Sequence, residues 1–174
     1  MWLGHSGYRR AVASGTPATA LLSRQKVPFT LHPYPHDPRN QAFGEEAAAA
    51  IGVPAERIFK TLIASVDGGH LHGKLVCGVV PVAGHLNLKA LAATVGAKKA
   101  EMADPAAAER ATGYVVGGIS PLGQRSRLQV VIDSSAASFE TVFVSAGKRG
   151  LQIELAPDAL VAACGGTLAP IATS

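Results

Sequence analysis

Aromatic residues make up only 5% of the 174-residue chain. Its interior must therefore be built mainly from small aliphatic side chains such as Ala and Val. Charge is also sparse, at 16% of residues against 48% apolar, which excludes an intrinsically disordered chain. The two cysteines, Cys77 and Cys164, are far apart in sequence. That spacing excludes both a disulfide scaffold and a four-ligand zinc site and reads as two buried thiols in a reducing compartment. No run approaches the roughly 20 apolar residues of a membrane span. The opening residues Met1 to Arg10 lack a continuous apolar stretch of the secretory type. The expectation is a cytoplasmic protein of one domain without membrane association. Sixteen Lys and Arg against twelve Asp and Glu give a net charge of +4. This permits an anionic partner such as RNA without requiring one.

Residues 1–15 have no periodicity and read as a loose extension; residues 16–174 read as one domain. Thr16 can cap a helix that starts at Pro17, and Val27 to Tyr34 reads as a strand. Phe43 to Ala50 is a short helix stopped by Gly52. Ile58 to Val66 and Leu71 to Val80 are strands joined by a hairpin signal, Asp67-Gly68-Gly69. Leu86 to Val95 is helical, and Asp104-Pro105 opens another helix that runs to Thr112. Tyr114-Val115-Val116 reads as a short strand entering a Gly/Pro loop. Further strands are expected at Leu128 to Asp133, Thr141 to Val144 and Leu151 to Leu155, with a loop over Ser145 to Gly150 and a last helix from Pro157 to Ala163. Helices and strands mix without strict βαβ alternation. The predicted fold is therefore mixed α/β (α+β): a mostly antiparallel sheet, or a partly open barrel, surrounded by helices.

Lys60 stands out. Strand alternation places it on one face with Ile58, Leu62 and Ala64. An ammonium there needs an anionic partner or a functional reason, unless it sits on an edge and reaches water. The loop from Gly117 to Gly123 can bring bare backbone N–H groups to an oxyanion or phosphate, or it can be an ordinary tight connection. It is not a nucleophile elbow, because the second Gly of Gly-x-Ser-x-Gly is missing around Ser120. Gly147-Lys148-Arg149 lacks the residues of a nucleotide-binding loop. The six histidines show no metal-ligand spacing, so neither metal nor cofactor is expected. No Ser/His/Asp order stands out, and Cys77 and Cys164 read as core residues. Basic pairs at Arg125/Arg127 and Lys148/Arg149 flank the glycine-rich segments; they can steer a phosphate backbone, while a solvated surface is the default reading for any one of them.

Several segments occur together in order: Thr16-Pro17-Ala18, Tyr34-Pro35-His36-Asp37-Pro38, Phe59-Lys60-Thr61-Leu62, Pro81-Val82-Ala83-Gly84, Lys98 to Ala103, Gly113 to Gly123, and Gly147-Lys148-Arg149-Gly150-Leu151. With this ordered set the sequence resembles the bacterial Cys-tRNA(Pro) deacylases, the YbaK/EbsC branch of the prolyl-tRNA synthetase editing-domain superfamily. The resemblance runs from Thr16 to the C-terminus. It implies the editing-domain fold and a free-standing enzyme that removes cysteine mischarged onto tRNA(Pro), an error that size discrimination alone cannot prevent. It matches Lys60 to the family's essential lysine. The substrate-binding Gly-x-x-x-Pro loop matches Gly117 to Pro121, including Gly118 and Ser120, and Tyr34, Phe43 and Ser145 match pocket positions.

The resemblance further implies that the substrate thiol attacks its own ester carbonyl, so that the enzyme only binds, orients and stabilises charge. The implied partners are the acceptor end of a mischarged tRNA and, as a candidate, prolyl-tRNA synthetase. One residue departs from the pattern: Gln152 stands where the best-known relatives carry aspartate, and an amide cannot act as a base. The alternatives are a deacylase for another amino acid, such as alanine, and a non-catalytic module that binds tRNA or the synthetase.

Overall fold

In a computed structural model, residues 15–174 are described; the expected extension over residues 1–14 lies outside them. The chain enters helix α1 (Pro17–Arg24) through Thr16. The Thr16 and Thr19 side chains exchange capping bonds with each other's backbone, and the Thr16 hydroxyl also donates to the Ala146 carbonyl. This ties the first helix to the strand that carries Ala146. Strand β1 (Thr30–Pro33) follows, beginning later than the apolar pattern suggests, and then α2 (Phe43–Ile51). Gly52 ends α2 in the left-handed conformation that favours glycine.

Strands β2 (Phe59–Gly68) and β3 (Leu71–Pro81) form a long antiparallel hairpin. Its two turn residues are Gly69 and His70, one position beyond the expected turn, because a bulge at Val66/Asp67 shifts the register. Leu86 belongs to the short strand β4 (His85–Leu86) rather than to a helix. Helix α3 (Leu88–Val95) starts after Asn87, whose side chain accepts from the Ala90 N–H. Strand β5 (Lys99–Met102) and helix α4 (Pro105–Thr112, capped by Asp104) follow.

The expected strand at Tyr114 to Val116 does not form. The Glu109 carboxylate takes the Val116 N–H, and Val115 and Gly118 close a turn. Strand β6 (Gln129–Asp133), a 3₁₀ turn (Ser134–Ser138), β7 (Val142–Lys148), β8 (Leu151–Leu155), α5 (Pro157–Cys164), β9 (Thr167–Ala169) and β10 (Ala172–Thr173) complete the chain. The expected loop over 145–150 shrinks to Arg149-Gly150, since β7 continues to Lys148.

The strands form a five-stranded sheet ordered β5-β2-β3-β6-β9, a three-stranded sheet β1-β8-β7 and the pair β10-β4. Only β3/β6 and β6/β9 are parallel. The architecture is the expected single mixed α/β domain, mostly antiparallel, and it is not a closed barrel. The two larger sheets touch at a bridge between Ile58 and Phe143. Alternation along β2 serves two cores. Phe59 and Ile63 pack with Cys77, Val144 and Ile153, whereas Ala64 and Val66 pack with Val76, Leu91 and Ile171. Among the described residues no helix is long and apolar enough to cross a membrane.

Candidate active site

Strand β5 pairs with β2 only over Ala64 to Asp67, and the Ile58–Phe143 bridge lies at the other end of that edge. Between them the β2 edge has no strand neighbour, and a cavity of about 340 Å³ occupies the gap. Its walls include Phe43 and Gly44 at the start of α2, Ile58 and the first residues of β2 to Ile63, Val82, Met102 and Ala103 at the end of β5, Val116, Gly117 and Ile119 of the glycine loop, and Ser145 and Gln152 of the three-stranded sheet. Most of these groups are apolar, and the polar groups among them converge from separate elements, as in a small-molecule site.

Lys60 lines this cavity, half-buried, on the β2 face that also carries Leu62 and Ala64. Among the described residues it has no ion-pair or hydrogen-bond partner. Glu45 is the one carboxylate on the wall and is exposed at the rim. The ammonium thus faces the cavity without a buried counter-charge. Ser145 and Gln152 stand opposite each other in the β7/β8 register. The Ser145 hydroxyl accepts from the Gly147 N–H at 3.1 Å. Gln152 is only 8% exposed, yet its Oε1 has no partner. The Thr61 hydroxyl, on the same wall, is likewise buried and unpartnered. Unpaired buried polar atoms are rare in folded proteins, and these two flank Lys60 and Ser145 in a cavity able to take a polar ligand.

The glycine loop is fixed tightly. Gly117 has φ +88° and lies so close to Phe43 that an added Cβ would come within 2.8 Å of the ring. The Gly118 N–H is engaged by the Val115 carbonyl at 2.9 Å, and a Cβ there would meet the Lys148 backbone. Burial pushes the Tyr114 phenol up to about 12. It stays protonated and donates to the Leu122 carbonyl at 2.6 Å, closing the loop from behind. His36 and Glu46 pair at 2.6 Å beneath the start of α2, and Glu46 also accepts the Asp37 N–H. The hydrogen bond from His36, more than any other contact, holds the Glu46 carboxyl below its ordinary value.

Of the residues singled out in the sequence, Lys60, Phe43, Gly117, Ser145 and Gln152 come together around the cavity. Tyr34 does not line it; it packs with Ala47, Ile58, Val82 and Phe143 behind the wall. Gly118 and Ser120 sit inside the loop, where the Ser120 hydroxyl accepts from the Leu122 N–H. Pro121 and Arg127 face a separate groove on the far side of the loop. Arg125 packs near Gly113, and Lys148 is exposed at the end of β7. Thr61, Val82 and Met102 were not singled out. Thr61 stands inside the Phe59 to Leu62 motif, so its position beside Lys60 was the available signal.

Among the described residues no histidine or cysteine lines the cavity. Cys77 and Cys164 lie elsewhere, and burial pushes their thiols up to about 12 and about 11, which leaves them protonated and unreactive near neutrality. Among the described residues no three His, Cys, Asp or Glu side chains cluster as a metal site would require. Among the described residues the cavity lining thus offers a lysine as its one interior charge and no activated side-chain nucleophile.

Residues 38–163 match the family model described as the aminoacyl-tRNA editing domain, and the chain belongs to that family. Among curated proteins it is 37% identical to EbsC of Enterococcus faecalis over 91% of this chain and 93% of that one; EbsC is provisionally named a Cys-tRNA(Pro)/Cys-tRNA(Cys) deacylase. It shares its fold with the solved structure of the hypothetical protein APE2540, at a TM-score of 0.79 and 25% identity, covering 91% of this chain and all of that one. It also matches a crystal structure described provisionally as a trans-editing enzyme for prolyl-tRNA synthetase, at a TM-score of 0.76 and 21% identity, covering 91% and 96%.

Proposed function

We propose that this protein is a trans-acting deacylase that clears cysteine from mischarged Cys-tRNA(Pro). The observation that carries the proposal is a half-buried lysine without a buried counter-charge in a cavity whose described lining has no Cys or His and whose one carboxylate, Glu45, is exposed at the rim. Such a site supports a reaction whose nucleophile arrives with the substrate. The cysteinyl sulfur attacks its own ester carbonyl carbon and forms a C–S bond, while the carbonyl electron pair moves to oxygen. Collapse expels the ribose oxygen, which ends with the proton given up by the thiol, and the cyclic thiolactone released is opened by water. Lys60 orients the ester and stabilises the developing negative charge. Thr61, Ser145 and Gln152 supply hydrogen bonds to the polar parts of the aminoacyl group. The kinship with EbsC points to the same substrate class. Prolyl-tRNA synthetase fits as the partner that delivers the tRNA.

The test is a panel of Cys-, Ala- and Ser-tRNA(Pro) assayed with wild type, Lys60→Ala and Gln152→Asp. Wild type should deacylate Cys-tRNA(Pro) far faster than the other two, and Lys60→Ala should abolish it. Preference for Ala-tRNA(Pro) would replace the thiol mechanism with attack by water. Normal cleavage by Lys60→Ala would sink the mechanism.

A further inference from the structure

Arg149 has an exposed position in the turn between β7 and β8, and its sequence setting suits a phosphate contact. The structure instead turns its guanidinium inward along the rim. Nε and Nη2 both donate to the Val116 carbonyl, at 3.0 and 2.6 Å, and the guanidinium carbon lies 4.7 Å from the Phe43 ring centroid. The Val116 N–H is held by the Glu109 carboxylate at 2.8 Å. An arginine and a glutamate therefore grip Val116 on both sides, at the entry to the glycine loop.

The Val116 carbonyl and the Gly117 N–H belong to one peptide unit, and the described chain contains no cis peptide. In a trans peptide the N–H points opposite to the C=O, so the Gly117 N–H points away from Arg149. Gly117 lines the cavity, and no acceptor for its N–H is found among the described residues. The next amide, Gly118, is engaged by Val115. A cation hydrogen-bonded to the carbonyl end of a peptide polarises the unit and strengthens its N–H as a donor.

We propose that Arg149 is a positioning residue for the reaction. By holding the Val116 carbonyl, it fixes and polarises the Gly117 N–H as the donor to the oxyanion formed on the substrate's ester carbonyl. The inference rests on the deacylase reading. It applies equally to attack by a substrate thiol or by water, because both place negative charge on the same oxygen. Phe43 contributes by packing its ring against Gly117 and under the guanidinium, so the rim moves as one piece.

The experiment compares wild type, Arg149→Gln and Arg149→Lys on Cys-tRNA(Pro) at several salt concentrations, with thermal unfolding and the amide NMR shift of Gly117 recorded for each. Removal of one oxyanion donor typically costs about 10²–10³ in kcat. Loss of its polariser should cost less, roughly 10- to 100-fold. Arg149→Gln should show that loss in kcat with KM within about twofold, an unchanged salt slope and a Gly117 amide shifted upfield. Arg149→Lys should recover part of both kcat and the shift. A phosphate contact would instead raise KM and lower the salt slope by about one, and that result, or unchanged kcat with an unchanged Gly117 shift, overturns the inference. If Arg149→Gln fails to fold, Arg149→Lys against wild type reads the same two quantities. A wild type inactive on every mischarged tRNA overturns the functional reading and this inference together; an active wild type with indifferent Arg149 variants overturns this one alone.

Discussion

Two residues set the character of the cavity, for opposite reasons. Lys60 brings a charge to a cavity wall on which, among the described residues, it has no ion-pair or hydrogen-bond partner, and an unpartnered charge beside a cavity is a candidate for a functional role. Lys60→Met keeps the stem and removes the charge. It should leave the melting temperature unchanged or slightly raised while deacylation falls by at least about 100-fold; a large drop in melting temperature would mean that the lysine is structural. Gly117 contributes by having no side chain. Its φ of +88° strains any L side chain, and the Phe43 ring occupies the place of a Cβ. Gly117→Ala should destabilise the fold by about 1–3 kcal/mol and lower activity more than Gly118→Ala lowers it, because only Gly117 lines the cavity. Assaying both variants beside their denaturation curves separates the two effects.

Helix ends were largely legible in the sequence because short-range chemistry sets them: Thr16 and Asp104 accept from the first-turn N–H groups, and Gly52 adopts the left-handed cap. Lys60 was legible because alternation exposes one wrong residue on an aliphatic face. Strand β5 was not, because Lys99 to Met102 contains no β-branched residue and becomes a strand only by pairing with β2. Tyr114 to Val116 carries a strand-like pattern, yet the carboxylate of Glu109, seven residues back and in no local motif, captures the Val116 N–H and turns the segment. Gln152 could be placed opposite Ser145 only by the register of the β7/β8 hairpin, which the sequence pattern conceals because it puts Ser145 in a loop. The three-stranded sheet behind the cavity depends on one carboxylate. Glu154 accepts from Thr141 at 2.6 Å, His32 at 2.8 Å and Arg57 at 3.0 Å. The Thr141 hydrogen bond first, then His32 and Arg57, holds its carboxyl below the ordinary 4.5. A depressed carboxyl pKa stabilises the fold above the unfolded value, and that stability is lost as pH falls through the folded one. Glu154→Gln should therefore cost about 1 kcal/mol at pH 7, after discounting for partial exposure, and flatten the acid limb of stability below about pH 5. Urea titrations from pH 3 to 7 check this, and parallel pH profiles for wild type and variant would remove Glu154 from the acid response.

At the scale of the whole molecule, the cavity exists because two sheets meet at one bridge and diverge, and the chain must hold both sheets while leaving that gap open. The far side of the five-stranded sheet is closed by the final segment. Ile171 is fully buried with Val131 and Leu91, β10 pairs with β4, and the Ile171 carbonyl accepts the Asn87 N–H at 2.7 Å. The buried carboxylate of Asp133 anchors this segment. One oxygen accepts the N–H groups of Ile171 and Ala172 at 3.0 and 2.9 Å, and the other accepts Ser135 N–H at 3.1 Å, opening the 3₁₀ turn. Asp133→Ala would leave three backbone donors without this acceptor, at a cost of about 3 kcal/mol. In a domain of this size that corresponds to a drop of roughly 6–12 °C in melting temperature. Asp133→Asn keeps one acceptor oxygen and should lose about half as much. None of these residues lines the cavity, so both variants should retain near-normal deacylation well below their melting temperatures, with added hydrogen exchange at Ile171 and Ala172. If Asp133→Ala melts with wild type, strand pairing and the burial of Ile171 suffice to close this side of the sheet, and the carboxylate contributes nothing beyond the turn it caps.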